Sequence, residues 1–228
     1  MSLQFIKRRC KRVFTLIAFF MNFNWTNILY SLPGIIIGLT VHEFSHAFVA
    51  DKLGDGTARA QGRLTLNPFY HIDPIGMVFI LFAGFGWAKP VQFDMRNLKS
   101  PKRDRILIAL AGPLSNLILG IVFLFIIKLF FTFLYFLPET LYIILFRLLF
   151  YISVINLGLF IFNMLPIPPL DGSHVFLSGL NLSSEVERKI TQYGTLALFA
   201  VIIIENIIDI DLLPISTFTH WVVSLVFR

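Results

Sequence analysis

Two histidines and a glutamate stand together at His42, Glu43 and His46, within the sequence His-Glu-Phe-Ser-His. Histidines four residues apart lie on one face of an α-helix, so both imidazoles can bind the same zinc ion. The glutamate between them can accept a proton from a water molecule that the metal polarises. The spacing therefore predicts a zinc peptidase site with Glu43 as its general base. Two histidines that pack or line a pore without a metal are the alternative interpretation.

A third zinc ligand must come from elsewhere in the chain, because a catalytic zinc keeps three protein ligands and one open position. The single cysteine, Cys10, rules out a site built on cysteines, so the ligand must be a histidine or a carboxylate. Asp171 is the candidate because it follows an apolar segment in the proline-rich loop 166–172, where helical geometry breaks down. We expect one zinc ion per chain. A turn that ends a helix with an aspartate is the alternative for this segment.

The segments that carry these residues are too apolar for a soluble protein. Of the 228 residues, 57% are hydrophobic and 14% are charged, and the mean hydropathy is +0.79. Such a composition fits a chain for which the lipid bilayer is the main solvent. The net charge of +6 comes from Lys and Arg clusters between apolar segments. These clusters indicate membrane topology and exclude nucleic acid as the expected partner.

The apolar segments predict an all-α polytopic membrane protein with about four to six transmembrane helices. The stretch 75–88 is too short to cross and contains three glycines, which predicts a re-entrant or interfacial element. The segment 57–65 is a candidate for small strands. Basic residues in the loops on either side of 75–88 place these loops on the cytoplasmic side. A break at Pro33 would let residues 13–53 form a hairpin.

These segments predict one membrane domain with two short ends. Residues 1–25 form a basic and aromatic N-terminal extension, 26–213 the membrane-embedded metalloprotease domain, and 214–228 a short apolar C-terminal segment. Nothing in the sequence sets the oligomeric state.

Several short motifs accompany the zinc helix. They are His-Glu-Phe-Ser-His at 42–46, Gly-Arg-Leu-Thr-Leu-Asn-Pro at 62–68, His-Ile-Asp-Pro at 71–74, Gly-Trp-Ala-Lys-Pro-Val at 86–91, Ala-Gly-Pro-Leu-Ser-Asn at 111–116 and Leu-Asp-Gly at 170–172. Together they resemble the site-2 protease family of intramembrane zinc metalloproteases, in its compact prokaryotic branch without a PDZ domain. The resemblance covers about residues 35–175.

The resemblance implies that His42, His46 and Asp171 bind zinc and that Glu43 is the catalytic acid and base. It also implies that Asn163 positions the substrate or stabilises the oxyanion. The expected protein is a multi-pass enzyme of a prokaryotic cell membrane. Its substrate would be a transmembrane protein or peptide, cut in or near the membrane segment during regulated intramembrane proteolysis.

A rival hypothesis is a membrane transporter or sensor of metal or other ions that uses the same histidines, since buried titratable residues also mark ion pathways. Such a protein needs no general base at Glu43. Two further histidines keep open roles. His71 is either an auxiliary metal residue or a loop histidine bonded to backbone, and His174 is a candidate to support Asp171.

Overall fold

A computed structural model describes residues 25–83, 86–133, 136–180, 182–208, 213 and 215–226. Their α-helices are α1 (Trp25–Lys52), α2 (Thr57–Ala60), α3 (Pro74–Ala83), α4 (Pro101–Phe133), α5 (Glu139–Asn163), α6 (Asp171–Ser178), α7 (Ser184–Ile208) and α8 (Ile215–Val226). Short 3-10 turns lie at Pro68–Tyr70 and Met95–Asn97. The predicted all-α class is confirmed.

Three helices among the described residues are long and apolar enough to cross a bilayer: Thr26–Lys52, Pro101–Phe130 and Glu139–Asn163. The predicted count of four to six is not confirmed. Helix α7 begins with a charged half, and α8 is shorter than the roughly 20 residues that a crossing needs. The chain therefore has at least three segments suited to the membrane, which agrees with a membrane protein.

Helix α1 runs unbroken through Pro33, so the predicted break at this position is wrong. Proline is tolerated within membrane helices because neighbouring groups satisfy the backbone atoms that it leaves free. Close to the proline, the Ser31 hydroxyl donates to the Ile28 carbonyl at 2.8 Å. Residues 13–24, which would form the other half of the hairpin, lie outside the described residues, as does nearly all of the N-terminal extension 1–25.

The three long helices pack against one another and form the frame of the site. Gly34 of α1 allows a close approach, because a Cβ there would lie 3.0 Å from the Ile152 Cα of α5. Between α4 and α5, Leu124, Ile127 and Leu157 are fully buried. Large apolar side chains on the outer surface of α4, such as Ile118, are exposed. This exposed apolar surface suits contact with lipid.

The connection between α1 and α4 contains no strand among its described residues, so the prediction of small strands at 57–65 is wrong. Alanine and arginine favour helix, and the sequence Thr-Ala-Arg-Ala forms α2, which ends in a turn with Gly62 at a φ of 68°. The β pairing in this region is an isolated antiparallel bridge between Ile72 and Ala88. Helix α3 lies between these paired residues in the sequence. The chain therefore enters α3 from Ile72 and comes back after it to pair with Ile72 through Ala88. A re-entrant position in the bilayer stays a prediction.

Asp55 links the parts of this connection. Its buried carboxylate accepts hydrogen bonds from the Thr57 N–H and hydroxyl, from the Asn97 amide at 2.8 Å and from the Asp94 N–H at 2.8 Å. Burial alone would raise the pKa of Asp55, but these hydrogen bonds outweigh burial and hold the pKa below its ordinary value. The connection is therefore anchored by a carboxylate that stays ionised at neutral pH.

Candidate metal centre

Three candidate ligands converge between α1 and α6. The Nε2 atoms of His42 and His46 lie 3.0 Å apart, and the Asp171 Oδ2 lies 3.1 Å from the first and 3.4 Å from the second. Zinc bonds of about 2.1 Å in a tetrahedral arrangement place neighbouring ligand atoms about 3.3 to 3.4 Å apart. The three predicted ligands thus lie close enough together to hold a metal ion, and both histidines are buried.

The hydrogen bond at the opposite nitrogen fixes the tautomer of His42. The Asn116 amide nitrogen donates to the Gly38 carbonyl and to the Asn156 Oδ1, both at 3.0 Å, so its Oδ1 must be the atom that faces His42. That oxygen accepts from the His42 Nδ1–H at 2.6 Å. The proton therefore sits on Nδ1, and Nε2 presents a lone pair.

His46 has the same tautomer. Its Nδ1–H donates to the Ile108 carbonyl at 2.7 Å, and a carbonyl can only accept. In the neutral imidazole that binds metal, its Nε2 therefore also presents a lone pair. Two imidazole lone pairs and the Asp171 Oδ2, a buried oxygen without a hydrogen-bond donor, thus face one another. Three acceptors this close repel one another unless a cation lies between them, and neutral imidazoles with a carboxylate are ligands that zinc prefers.

Gly112 of α4 leaves the space that a cation would need. A Cβ at this position would lie 2.3 Å from the His46 Nε2 and 2.7 Å from the His42 Nε2. Any larger residue would fill the space between the ligands. In the sequence, Gly112 stands out only as part of the motif 111–116, because nothing local to these residues shows that they face the zinc helix.

The proline-rich loop delivers Asp171 to the site. Asp171 is the first residue of α6, and Gly172 packs directly against the end of α5. A Cβ at Gly172 would lie 2.3 Å from the Met164 carbonyl oxygen, so only glycine allows this approach. The sequence Leu-Asp-Gly therefore combines a candidate ligand with the residue that lets it reach the histidines.

Glu43 lies between the two histidines in α1 and is buried. Its Oε2 accepts a hydrogen bond of 2.9 Å from the backbone N–H of Val91, at the end of the motif 86–91. None of the described hydrogen bonds engages the second carboxylate oxygen. That oxygen is the one available to a water molecule.

The structure does not bring Asn163 into this group through any described contact. Its amide nitrogen donates to the Leu159 carbonyl at 3.0 Å, within α5. A role towards substrate would require the side chain to give up this bond. The oxyanion role of Asn163 stays a prediction.

The two other histidines have different partners. His71 is fully buried, and its Nε2–H donates to the Thr65 carbonyl at 2.7 Å, as the loop-histidine alternative supposes. His174 Nδ1 accepts from Arg105 at 2.8 Å, and Arg105 also pairs with Glu187 of α7. Burial lowers the pKa of His71 and of His174, so both are neutral at pH 7.

Asn116 and Asn156 form a buried pair that was not predicted, although Asn116 ends the motif 111–116. Both side chains are 0% exposed, and Asn156 also donates to the Ile152 carbonyl at 2.8 Å. Asparagines within apolar helices are costly and imply a partner, so their positions carried a usable signal. That the partner would be His42 could not be known without the packing of α1 against α4.

The sequence pattern of Peptidase family M50 matches residues 30–204. "Putative zinc metalloprotease YwhC" of Bacillus subtilis is 44% identical over 149 residues, which cover 64% of this chain and 67% of that protein. "Putative zinc metalloprotease Rip2" of Mycobacterium tuberculosis is 31% identical over 146 residues, which cover 62% and 53%. "Putative zinc metalloprotease MJ0611" of Methanocaldococcus jannaschii is 33% identical over 159 residues, which cover 68% and 72%. The match to Rip2 thus covers only about half of that protein. No solved structure matches the chain at a significant level.

Proposed function

The chain belongs to peptidase family M50, and we propose that it is a zinc metalloendopeptidase that cuts membrane proteins in or near their transmembrane segments. Membership confirms the resemblance to site-2 proteases and the identity of the enzyme as a zinc metalloprotease. The observation that best supports the site is the convergence of the His42 Nε2, the His46 Nε2 and the Asp171 Oδ2 to within 3.4 Å of one another, while both Nδ1 atoms face acceptors elsewhere in the protein. We assign His42, His46 and Asp171 as the zinc ligands.

Each residue of the site has a distinct task in the proposed reaction. Zinc, when bound, supplies a Lewis acid that polarises water and the substrate carbonyl. Glu43 accepts the proton as water attacks the peptide carbonyl and returns it to the leaving amine. Asn116 and the Ile108 carbonyl keep the two histidines in the tautomer that binds metal. We assign Asn163 as the donor to the developing oxyanion, after its side chain leaves the Leu159 carbonyl.

The depth of the site supports proteolysis within the membrane. His42 lies ten positions before Lys52, where α1 ends, and this distance is about 15 Å along the helix axis. We place Lys52 at the membrane surface, and the proposed site then lies inside the hydrocarbon core, which is about 30 Å thick. A substrate must unwind there, because helical carbonyls are already hydrogen-bonded. We place the unwound segment beside residues 87–91, which include the bridge at Ala88 and reach Glu43.

The proposed location is the cell membrane of a prokaryote, supported by relatives from bacteria and an archaeon. The transport alternative uses the same histidines. No described contact of Glu43 favours transport, whereas its place between two ligands suits a general base.

The test uses the full chain with zinc in lipid nanodiscs and a designed single-span membrane protein whose glycine-rich membrane segment unwinds easily. Glu43→Gln should keep one zinc per chain and lower the cleavage rate by about 10²-fold to 10⁴-fold, the usual contribution of a general base. Zinc flux is measured for the wild type and for Glu43→Gln in proteoliposomes. Cleavage by the Glu43→Gln variant at the wild-type rate would refute the proposal, and zinc flux that persists in this variant without any wild-type cleavage would favour transport.

A further inference from the structure

Arg63 is a buried arginine that binds backbone instead of a carboxylate. It is 5% exposed, although arginine is rarely buried unless it is paired. Its guanidinium donates to the Tyr70 carbonyl and, through Nη2, to the carbonyls of Lys89 and Pro90 at 2.6 and 2.8 Å. None of the ion pairs among the described residues includes Arg63. The charged guanidinium therefore binds the backbone at Tyr70, Lys89 and Pro90.

The end of α2 puts Arg63 in this position. Gly62 adopts a φ of 68°, which ends the helix, and the Arg63 N–H then bonds the Ala58 carbonyl at 2.8 Å. This pattern is a helix C-terminal turn that favours glycine. The first two residues of the motif 62–68 thus direct one guanidinium to the segment 89–90.

The segment held by Arg63 leads directly to Glu43. The Lys89 N–H bonds the His71 carbonyl at 2.8 Å, and the carbonyls of Lys89 and Pro90 bind Arg63. The next residue is Val91, whose N–H donates to the Glu43 Oε2 at 2.9 Å. Arg63 therefore holds residues 89 and 90, and the carboxylate of the proposed general base holds residue 91.

We propose that Arg63 is a positioning residue for Glu43, because it fixes residues 89–91 so that the Val91 N–H holds one carboxylate oxygen. This role rests on the proposed function, in which Glu43 is the general base. A displacement of about 1 Å in a reacting group can cost about a hundredfold in rate. Loss of Arg63 should therefore lower kcat by about 10-fold to 100-fold. Zinc should remain bound, because no described contact of Arg63 involves His42, His46 or Asp171.

The experiment compares Arg63→Ala and Arg63→Lys in the full chain in nanodiscs. Arg59→Ala is the matched control, since Arg59 lies on the same turn but is 65% exposed and pairs with Asp51. Three quantities are measured: zinc content, kcat and KM on the single-span test protein, and hydrogen exchange of the backbone at 86–92. Arg63→Ala should keep its zinc and a KM within about twofold of wild type while kcat falls about 10-fold to 100-fold. Exchange at 86–92 should become faster.

Arg63→Lys should lie between Arg63→Ala and the wild type, because an ammonium can donate to carbonyls but lacks the planar fork. Arg59→Ala should match the wild type. A wild-type kcat in Arg63→Ala, or loss of zinc in step with activity, would overturn the positioning role. If Arg63→Ala does not fold, Arg63→Lys decides: a lower kcat with full zinc supports the role, and an unchanged kcat overturns it.

Hydrogen exchange separates this inference from the proposed function. Unchanged exchange at 86–92 in Arg63→Ala overturns the positioning role whatever the cleavage result. A wild-type chain that binds zinc but does not cleave the test protein would count against the proposed function, and the exchange data would still show whether Arg63 fixes residues 89–91.

Discussion

Replacing Gly112 with alanine should abolish tight zinc binding. The added Cβ would lie 2.3 Å from the His46 Nε2 and 2.7 Å from the His42 Nε2. Ordinary contacts between carbon and nitrogen are about 3.5 Å, so the His46 ring would have to move by about 1 Å. Zinc–ligand distances tolerate only about 0.2 Å, and such a movement therefore removes at least one ligand.

The size of the effect follows from the energy of a typical zinc site. Structural zinc binds with about 10–16 kcal/mol through four ligands, or about 3 kcal/mol for each, so losing one ligand should weaken binding at least about 100-fold. Competition with a chelator measures this affinity in the purified chain.

Gly158→Ala is the control, because a Cβ there would meet only an ordinary contact at 3.5 Å. Alanine favours helix over glycine, so lost helix propensity cannot explain a defect in Gly112→Ala. Wild-type zinc affinity in Gly112→Ala would refute the assignment of the metal to this space.

Three further predictions concern residues that support the site and the connection. Asn116→Ala should weaken zinc binding by about 10-fold to 100-fold in the chelator assay, because His42 loses the partner that fixes its tautomer. Asp171→Ala should lose zinc and cleavage together, whereas Asn163→Ala should keep zinc while the cleavage rate falls about 100-fold to 1,000-fold; an unchanged rate would refute the role of Asn163. Asp55 has a pKa below its ordinary value of 3.8, so its stabilisation is present above that value and lost as pH falls through the folded pKa. The thermal midpoint should therefore decrease as pH falls below the ordinary value of 3.8, and Asp55→Asn should reduce this dependence.

The local parts of the site could be predicted from the sequence because they depend on helical geometry alone. The spacing of His42 and His46 fixes a shared helix face, and the structure brings their Nε2 atoms to 3.0 Å. The proline-rich loop indicated Asp171 because such a loop leaves helical geometry near an apolar segment. Both inferences needed no knowledge of how distant helices pack.

The remaining parts depend on tertiary packing. The bond between His42 and Asn116 joins residues 74 positions apart, and that between Glu43 and Val91 joins residues 48 apart. Neither pairing has a local signature. The break at Pro33 was wrong because a helix in an apolar environment keeps its other hydrogen bonds, and the strands at 57–65 were wrong because residues 57–60 favour helix.

Zinc-dependent proteolysis is tested by the cleavage rate of the metal-free chain as zinc is added back, with the single-span protein as substrate. We expect no cleavage without zinc and a rate that rises in proportion to occupancy until one zinc is bound per chain. The His46→Ala variant should stay inactive throughout the titration. Cleavage that persists in the metal-free chain, or that returns in His46→Ala at the same zinc occupancy, would show that zinc at this site does not carry the reaction.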